Sequence, residues 1–76
     1  MFTLKVFHLE GGYTAIACKS YCVGPPDPEQ GNAIWISTEP LTGTAGEEIE
    51  VEDKVIVENA NGKTIDVIRA RAVGNG

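Results

Sequence analysis

Three side chains in this sequence carry the chemistry of a nucleophile, a base or a soft metal ligand: His8, Cys18 and Cys22. A thiol activated by an imidazole makes a covalent catalyst, but the base then needs a third group to orient it. No spacing in the sequence supplies one, and a 76-residue chain leaves little room for a walled pocket. The chain is therefore read as non-catalytic. A structural zinc site wants four ligands with close Cys or His pairs, so these three residues would need a carboxylate to complete it. No metal and no cofactor is expected.

Gly62-Lys63-Thr64 has the ending of a phosphate-binding loop. That loop also needs a glycine five residues earlier, where Val57 stands, and it must open a helix, whereas Lys63 opens a β-branched run. Turn chemistry accounts for these residues. Lys63, Arg69 and Arg71 form a basic group near the C-terminus. They are the phosphate-facing candidates if the chain is instead a homo-oligomer that holds a small metabolite or nucleotide.

Recognition of a protein is the better supported chemistry. Residues 39–58 hold Glu39, Glu47, Glu48, Glu50, Glu52, Asp53 and Glu58 against Lys54 alone, a sum of -6 in a chain of net charge -5. Such a stretch either keeps a strand edge soluble or steers a basic partner toward the chain. A nucleic-acid partner is unlikely for so acidic a molecule. Mimicry of a nucleic-acid surface would need charge over a wider face than Glu47 to Asp53 supply. Trp35, the only tryptophan, is either a core filler or an exposed anchor, since Trp and Tyr dominate interface energetics. Tyr13 and Tyr21 share the odd-numbered face of the first hairpin with Phe7. The candidate partner-binding residues are thus Trp35, Tyr13, Tyr21, Glu47, Glu48, Glu50, Glu52 and Asp53.

These residues must be positioned by strands. Nine glycines and four prolines punctuate a chain with no helical apolar period, while Phe2–Leu9, Tyr13–Val23, Ala33–Ser37, Glu48–Glu58 and Lys63–Arg71 are rich in β-branched or aromatic residues. The expected fold is all-β: about five antiparallel strands, a meander curled into a small barrel or a strongly bent sheet. One domain spans 1–76. A first hairpin covers 1–23, a Pro-rich loop 24–32, a short strand 33–37, a loop 38–47, a second hairpin 48–71 and a flexible tail 72–76.

Register can be argued for both hairpins. A loop of Glu10-Gly11-Gly12 sets Val6 opposite Ile16 and Leu4 opposite Cys18. Period-two alternation then brings Cys22 onto the same apolar face. In the second hairpin, a two-residue Asn61-Gly62 turn pairs Val57 with Asp66. A three-residue loop, Ala60 to Gly62 with Gly62 left-handed, pairs Val57 with Ile65 and Val55 with Val67, gathering four aliphatics on one face. Because a slip of one residue exchanges faces, patterning favours the three-residue loop.

Cys18 and Cys22 lie ~13 Å apart in an extended strand, whereas a disulfide needs Cα atoms within about 7 Å. Lys19-Ser20-Tyr21 holds no Gly or Pro to bend the chain. Both thiols are expected reduced and buried, in a cytoplasmic protein. No apolar run approaches the ~18 residues of a membrane span, and the N-terminus lacks the order of a signal peptide.

Two resemblances bear on origin. Length, an opening hairpin and a glycine-containing C-terminus are shared with ubiquitin, but three prolines in 24–31 replace that family's helix, and Gly74-Asn75-Gly76 is not its diglycine end. The segment Lys54-Val55-Ile56-Val57-Glu58-Asn59-Ala60-Asn61-Gly62-Lys63-Thr64-Ile65 resembles one found near the C-terminus of small bacteriophage and prophage proteins, which also begin with a short hairpin. That resemblance implies a phage or prophage origin and no chemistry. Many such proteins act by binding a host protein, and some block host defence. The expected function is a non-catalytic acidic interaction module with a protein partner. Homo-oligomers through sheet edges are a further expectation.

Overall fold

The computed structural model describes residues 1–43 and 45–70. Arg71 and the expected tail at 72–76 lie outside them. Seven strands follow one another: β1 (Phe2–Phe7), β2 (Tyr13–Cys18), β3 (Ser20–Val23), β4 (Trp35–Glu39), β5 (Glu48–Glu50), β6 (Lys54–Glu58) and β7 (Thr64–Arg69). A single 3-10 turn, Pro28–Gln30, interrupts the loop after β3. The strands form two antiparallel sheets, one ordered β2-β1-β6-β7 and the other β3-β4-β5.

The all-β expectation holds, while the five strands and the closed barrel do not. Two of the long runs are each cut in two, because the chain passes from one sheet to the other. The run 13–23 bends at Lys19, whose N–H reaches the Glu39 carbonyl at 2.7 Å. The run 48–58 bends over 51–53, where Val51 N–H donates to Ile34 O at 2.9 Å and Asp53 N–H to Phe7 O at 3.4 Å. Backbone partners remote in sequence hold both corners, so neither needs Gly or Pro. The order is also not a meander, since β1 and β6 lie side by side at the centre of their sheet.

The core lies between the sheets. Leu4, Val6, Cys18, Val55, Val57 and Ile68 point inward from the four-stranded sheet, meeting Ile36 of β4 and Val51 at the corner. Burying one such aliphatic side chain is worth about 1.5–3 kcal/mol. Leu4 and Val6 alternate with half-buried Lys5 and Phe7 along β1, and Val55 and Val57 flank Ile56 along β6. Among the described residues, no helix is long and apolar enough to cross a membrane.

The first hairpin keeps its expected inner face but not its register. Leu4 lies opposite Ile16, Val6 opposite Thr14 and Phe2 opposite Cys18, two residues from the expected pairing. A displacement of two preserves the face. The loop is correspondingly longer, running from His8 to Gly12 and closed by His8 N–H to Gly12 O at 3.1 Å and Gly11 N–H to His8 O at 3.0 Å.

The bend at Lys19 resets the alternation beyond it. Cys18 is buried as expected, but Cys22 is exposed, and both thiols are free. Tyr21 turns inward instead. Its ring meets Phe2 edge-on at 5.4 Å, and its hydroxyl donates to Asp66 Oδ2 at 3.3 Å. Burial first, and then the Asp66 carboxylate, push the Tyr21 phenol above its ordinary pKa.

In the second hairpin both register arguments are met in part. Next to the turn, Glu58 pairs with Thr64 and Gly62 is left-handed at φ 81°, as the three-residue loop requires. A bulge then shifts the ladder, so that Val57 faces Asp66, Ile56 faces Val67 and Val55 faces Ile68. Ile65 and Val67, expected in the core, stand exposed, and Ile68 takes the inward place.

Candidate interaction surface

The outer face of the three-stranded sheet gathers three of the eight expected binding residues, Trp35, Glu48 and Glu50. Ile36 and Ile49 pair and point inward, which fixes the phase of both strands. Their neighbours Trp35, Ser37 and Glu39 on β4, and Glu48 and Glu50 on β5, therefore point out. Trp35 sits directly opposite Glu50, and Ser37 opposite Glu48. Trp35 is 38% exposed, which decides between core filler and surface residue in favour of the surface. Alternation across Ile34-Trp35-Ile36 could not decide this, because all three residues are apolar.

On the other side of β4 runs β3, with Cys22 opposite Ser37 and Ser20 opposite Glu39. Ser20 Oγ donates to Glu39 Oε1 at 2.8 Å. The ladder continues past β3, where Gly24 N–H reaches the Trp35 carbonyl at 2.9 Å. Gly24 carries no side chain, and a Cβ there would meet the Trp35 carbonyl oxygen at 3.4 Å. Glu47 joins the edge through its backbone: its carbonyl accepts from Thr38 N–H at 2.9 Å and from Thr38 Oγ1 at 3.0 Å.

The Pro-rich loop folds over this face. Asp27 Oδ1 accepts Glu29 N–H at 3.0 Å and so caps the Pro28–Gln30 turn. Asp27 also pairs with Ala33 across the loop, with its N–H on the Ala33 carbonyl at 3.0 Å, while Gly31 closes the turn at φ 69°. Between loop and sheet runs an open groove of about 600 Å³, lined by Pro25, Pro26, Asp27, Pro28, Trp35 and Glu48. Asp27 and Ser37 were not singled out in the sequence. The Asp-Pro turn signal at 27–28 marks the loop but not the side of the sheet on which it lies.

The rest of the acidic stretch serves elsewhere. Glu52 Oε2 lies 3.0 Å from His8 Nδ1, and Glu58 Oε2 lies 3.0 Å from Lys5 Nζ. The hydrogen bond to Glu58 holds the Lys5 ammonium above its usual pKa. Asp53 ties the corner through its backbone, receiving Ala70 N–H at 3.0 Å on its carbonyl. The two tyrosines separate as well. Tyr21 packs inward, while Tyr13 stays 52% exposed on the outer face of the four-stranded sheet. There its ring lies 5.1 Å from Phe7, with Lys5 Nζ 5.5 Å above it and Lys54 Nζ 5.0 Å above Phe7. Arg69 lies opposite Lys54 on that same face. The two outer faces thus differ in sign: the small sheet is acidic, and the large one, with Lys5, Lys54 and Arg69 against Glu58, is net basic.

His8 has the orienting group that spacing alone did not reveal. Its Nε2 lies 2.7 Å from Thr14 Oγ1, and Nδ1 meets Glu52, which stands 44 positions away in the chain. The connectivity is that of hydroxyl, imidazole and carboxylate in a nucleophilic site. Thr14 is exposed, while Glu52 lines a separate groove with Leu9 and Val51. Mechanically the three side chains strap the β1–β2 loop to the corner at 51–53. As for His8, Cys18 and Cys22 as soft ligands, no three His, Cys, Asp or Glu side chains among the described residues gather so as to hold a metal ion. Compared with known proteins, the chain matches no family model, no curated sequence and no solved structure.

Proposed function

We propose that this chain is a non-catalytic interaction module, of phage or prophage origin, whose acidic outer face receives a basic region of a host protein. The observation that carries the reading is the pairing of exposed Trp35 with Glu50, with Glu48 and, farther along β4, Glu39 on the same outer sheet face. An aromatic anchor supplies apolar contact area, and carboxylates around it steer a cationic partner and reject anionic ones. The test is association kinetics with a Lys/Arg-rich peptide and a Glu-rich control. The basic peptide should bind with a rate that falls as salt rises past ~0.15 M, where the Debye length is about 8 Å. Reversing Glu47, Glu48 and Glu50 to Lys should abolish that dependence without unfolding the chain. A rate indifferent to the reversals at low salt would sink the reading.

A second reading is favoured by the sign difference between the two outer faces. Lys54 and Arg69 on one copy complement Glu48 and Glu50 on another, so the basic partner can be a second copy in a head-to-tail contact. Sedimentation of the purified chain at low and high salt separates the readings. A salt-sensitive oligomer supports self-association, and a monomer at both salts leaves the host protein as partner.

A further inference from the structure

We propose that the groove between the Pro25–Pro28 loop and β4 takes an arginine side chain of the partner, its guanidinium stacked on the Trp35 indole and hydrogen-bonded by Glu48 and Asp27. The proposal rests on the acidic-face reading and names the residue type that this face selects.

The walls suit a flat cation. Trp35 is the strongest of the aromatic side chains for holding a positive charge over its face. Gly24 lines the groove beside Trp35 and adds no side chain to it. Pro25, Pro26 and Pro28 complete an apolar wall whose backbone is already fixed in φ, so little ordering accompanies binding. Apolar walls alone would admit any hydrophobic side chain, but Glu48 and Asp27 in the lining add charge of one sign. An aliphatic or anionic side chain placed there would leave those carboxylates desolvated without a donor.

Arginine fits better than lysine on three counts. Its guanidinium is planar and stacks on an indole, it is more weakly hydrated than an ammonium, and its five donors address two carboxylates at once. Asp27 is held for this role by its cap to Glu29 N–H, which occupies Oδ1 and leaves further acceptor capacity on the carboxylate. Ser37, between Trp35 and Glu39 on β4, also lines the groove and offers a hydroxyl to the same ligand.

Trp35 is the only tryptophan, so its emission reports on the groove directly. The intact chain is titrated with three blocked tripeptides, Gly-X-Gly, in which X is arginine, lysine or the neutral isostere citrulline. Arginine should shift the Trp35 emission saturably, lysine should bind about tenfold more weakly for want of stacking and fork geometry, and citrulline should give no shift. Glu48→Gln and Asp27→Asn should each weaken the arginine peptide by about tenfold, the scale of one charge-assisted hydrogen bond, with the far-ultraviolet spectrum unchanged. Asparagine still caps the turn, so that variant keeps the loop in place. Binding of long Arg-rich and Lys-rich peptides alike, with no response from Trp35, would overturn the groove and leave the acidic-face reading standing. Failure of every cationic peptide to bind would overturn both.

Discussion

Val57 lies opposite Asp66, one residue out of step with the adjacent pair of Glu58 and Thr64. The step is a bulge, and it decides which side chains of β7 enter the core. Ile68 is buried, while Ile65 and Val67 are 47% and 42% exposed. Replacing Ile65 with Thr should therefore change stability by no more than about 0.5 kcal/mol, whereas Ile68→Ala should cost about 2–4 kcal/mol. Urea unfolding measures both. An Ile65 variant as costly as the Ile68 variant would restore the unbulged register.

The turn that feeds this bulge rests on two residues. Gly62 has φ 81°, and Asn59 Oδ1 accepts both Asn61 N–H at 2.9 Å and Lys63 N–H at 3.0 Å. No atom crowds the place where a Cβ would sit at Gly62, so only backbone strain opposes a side chain there. Gly62→Ala should cost about 1 kcal/mol, and Gly62→Asn less, because asparagine tolerates the left-handed region. Asn59→Ala should cost about 1–2 kcal/mol by leaving two donors to water. Equal, negligible effects at both positions would remove the turn from the account of the register.

These cases mark where the sequence is legible. The inner faces of β1 and β6 follow from alternation, because Lys5 separates Leu4 from Val6, and Lys54 and Glu58 set the polar phase opposite Val55 and Val57. The corners at Lys19 and 51–53 do not follow, since the chain bends there to meet Glu39, Phe7 and Ala70, far away in sequence. Every alternation drawn across a corner fails accordingly, which is why Cys22 was expected inside and Tyr21 outside. The acidic face was legible as composition only. Which glutamates share a side with Trp35 depends on the Ile36–Ile49 pair, a tertiary choice.

The two thiols should now differ sharply. Burial pushes the Cys18 thiol above its ordinary pKa, and Cys22 is open to solvent. Since the thiolate is the reactive form, a native-state thiol reagent should label Cys22 fast and Cys18 only on unfolding. Cys18→Ser should cost about 1–3 kcal/mol through an unsatisfied buried hydroxyl, and Cys22→Ser close to none. Mass spectrometry of the labelled chain checks the order. Simultaneous labelling of both would contradict the bend at Lys19.

The strap at His8 predicts a pH dependence. The hydrogen bond from His8, helped by Leu9 N–H at 3.5 Å, holds the Glu52 carboxyl below its ordinary value of 4.5. A folded pKa below the unfolded one stabilises the fold above the unfolded value and ceases to do so as pH falls through the folded value. The contact therefore works at neutral pH and is lost in acid. His8→Leu should raise the Glu52 midpoint toward 4.5, read from carboxyl carbon shifts in an NMR titration. An unmoved midpoint would mean that the imidazole does not set the charge of Glu52.

Gly46 tests whether the acidic face depends on how closely β5 approaches β4. A Cβ built there would collide with the Thr38 carbonyl oxygen, which is backbone and cannot swing aside. Gly46→Ala must therefore push the entry to β5 away from β4, disturbing the bonds of Glu47 to Thr38 N–H and Oγ1. The cost should be about 1–3 kcal/mol, typical of a side chain forced into occupied space. β5 has only three residues and forms the edge of its sheet, so the damage should stay local and spare the β2-β1-β6-β7 sheet. Hydrogen exchange should show faster amides at Thr38 and Val51, with β1 and β6 protected as before. Binding of a basic peptide should weaken in the same variant, because Glu48 and Glu50 leave their places beside Trp35. A Gly46→Ala chain that keeps slow exchange at Thr38 would show that the added Cβ is accommodated without moving β5, and Gly46 would then have no part in holding the glutamates beside Trp35.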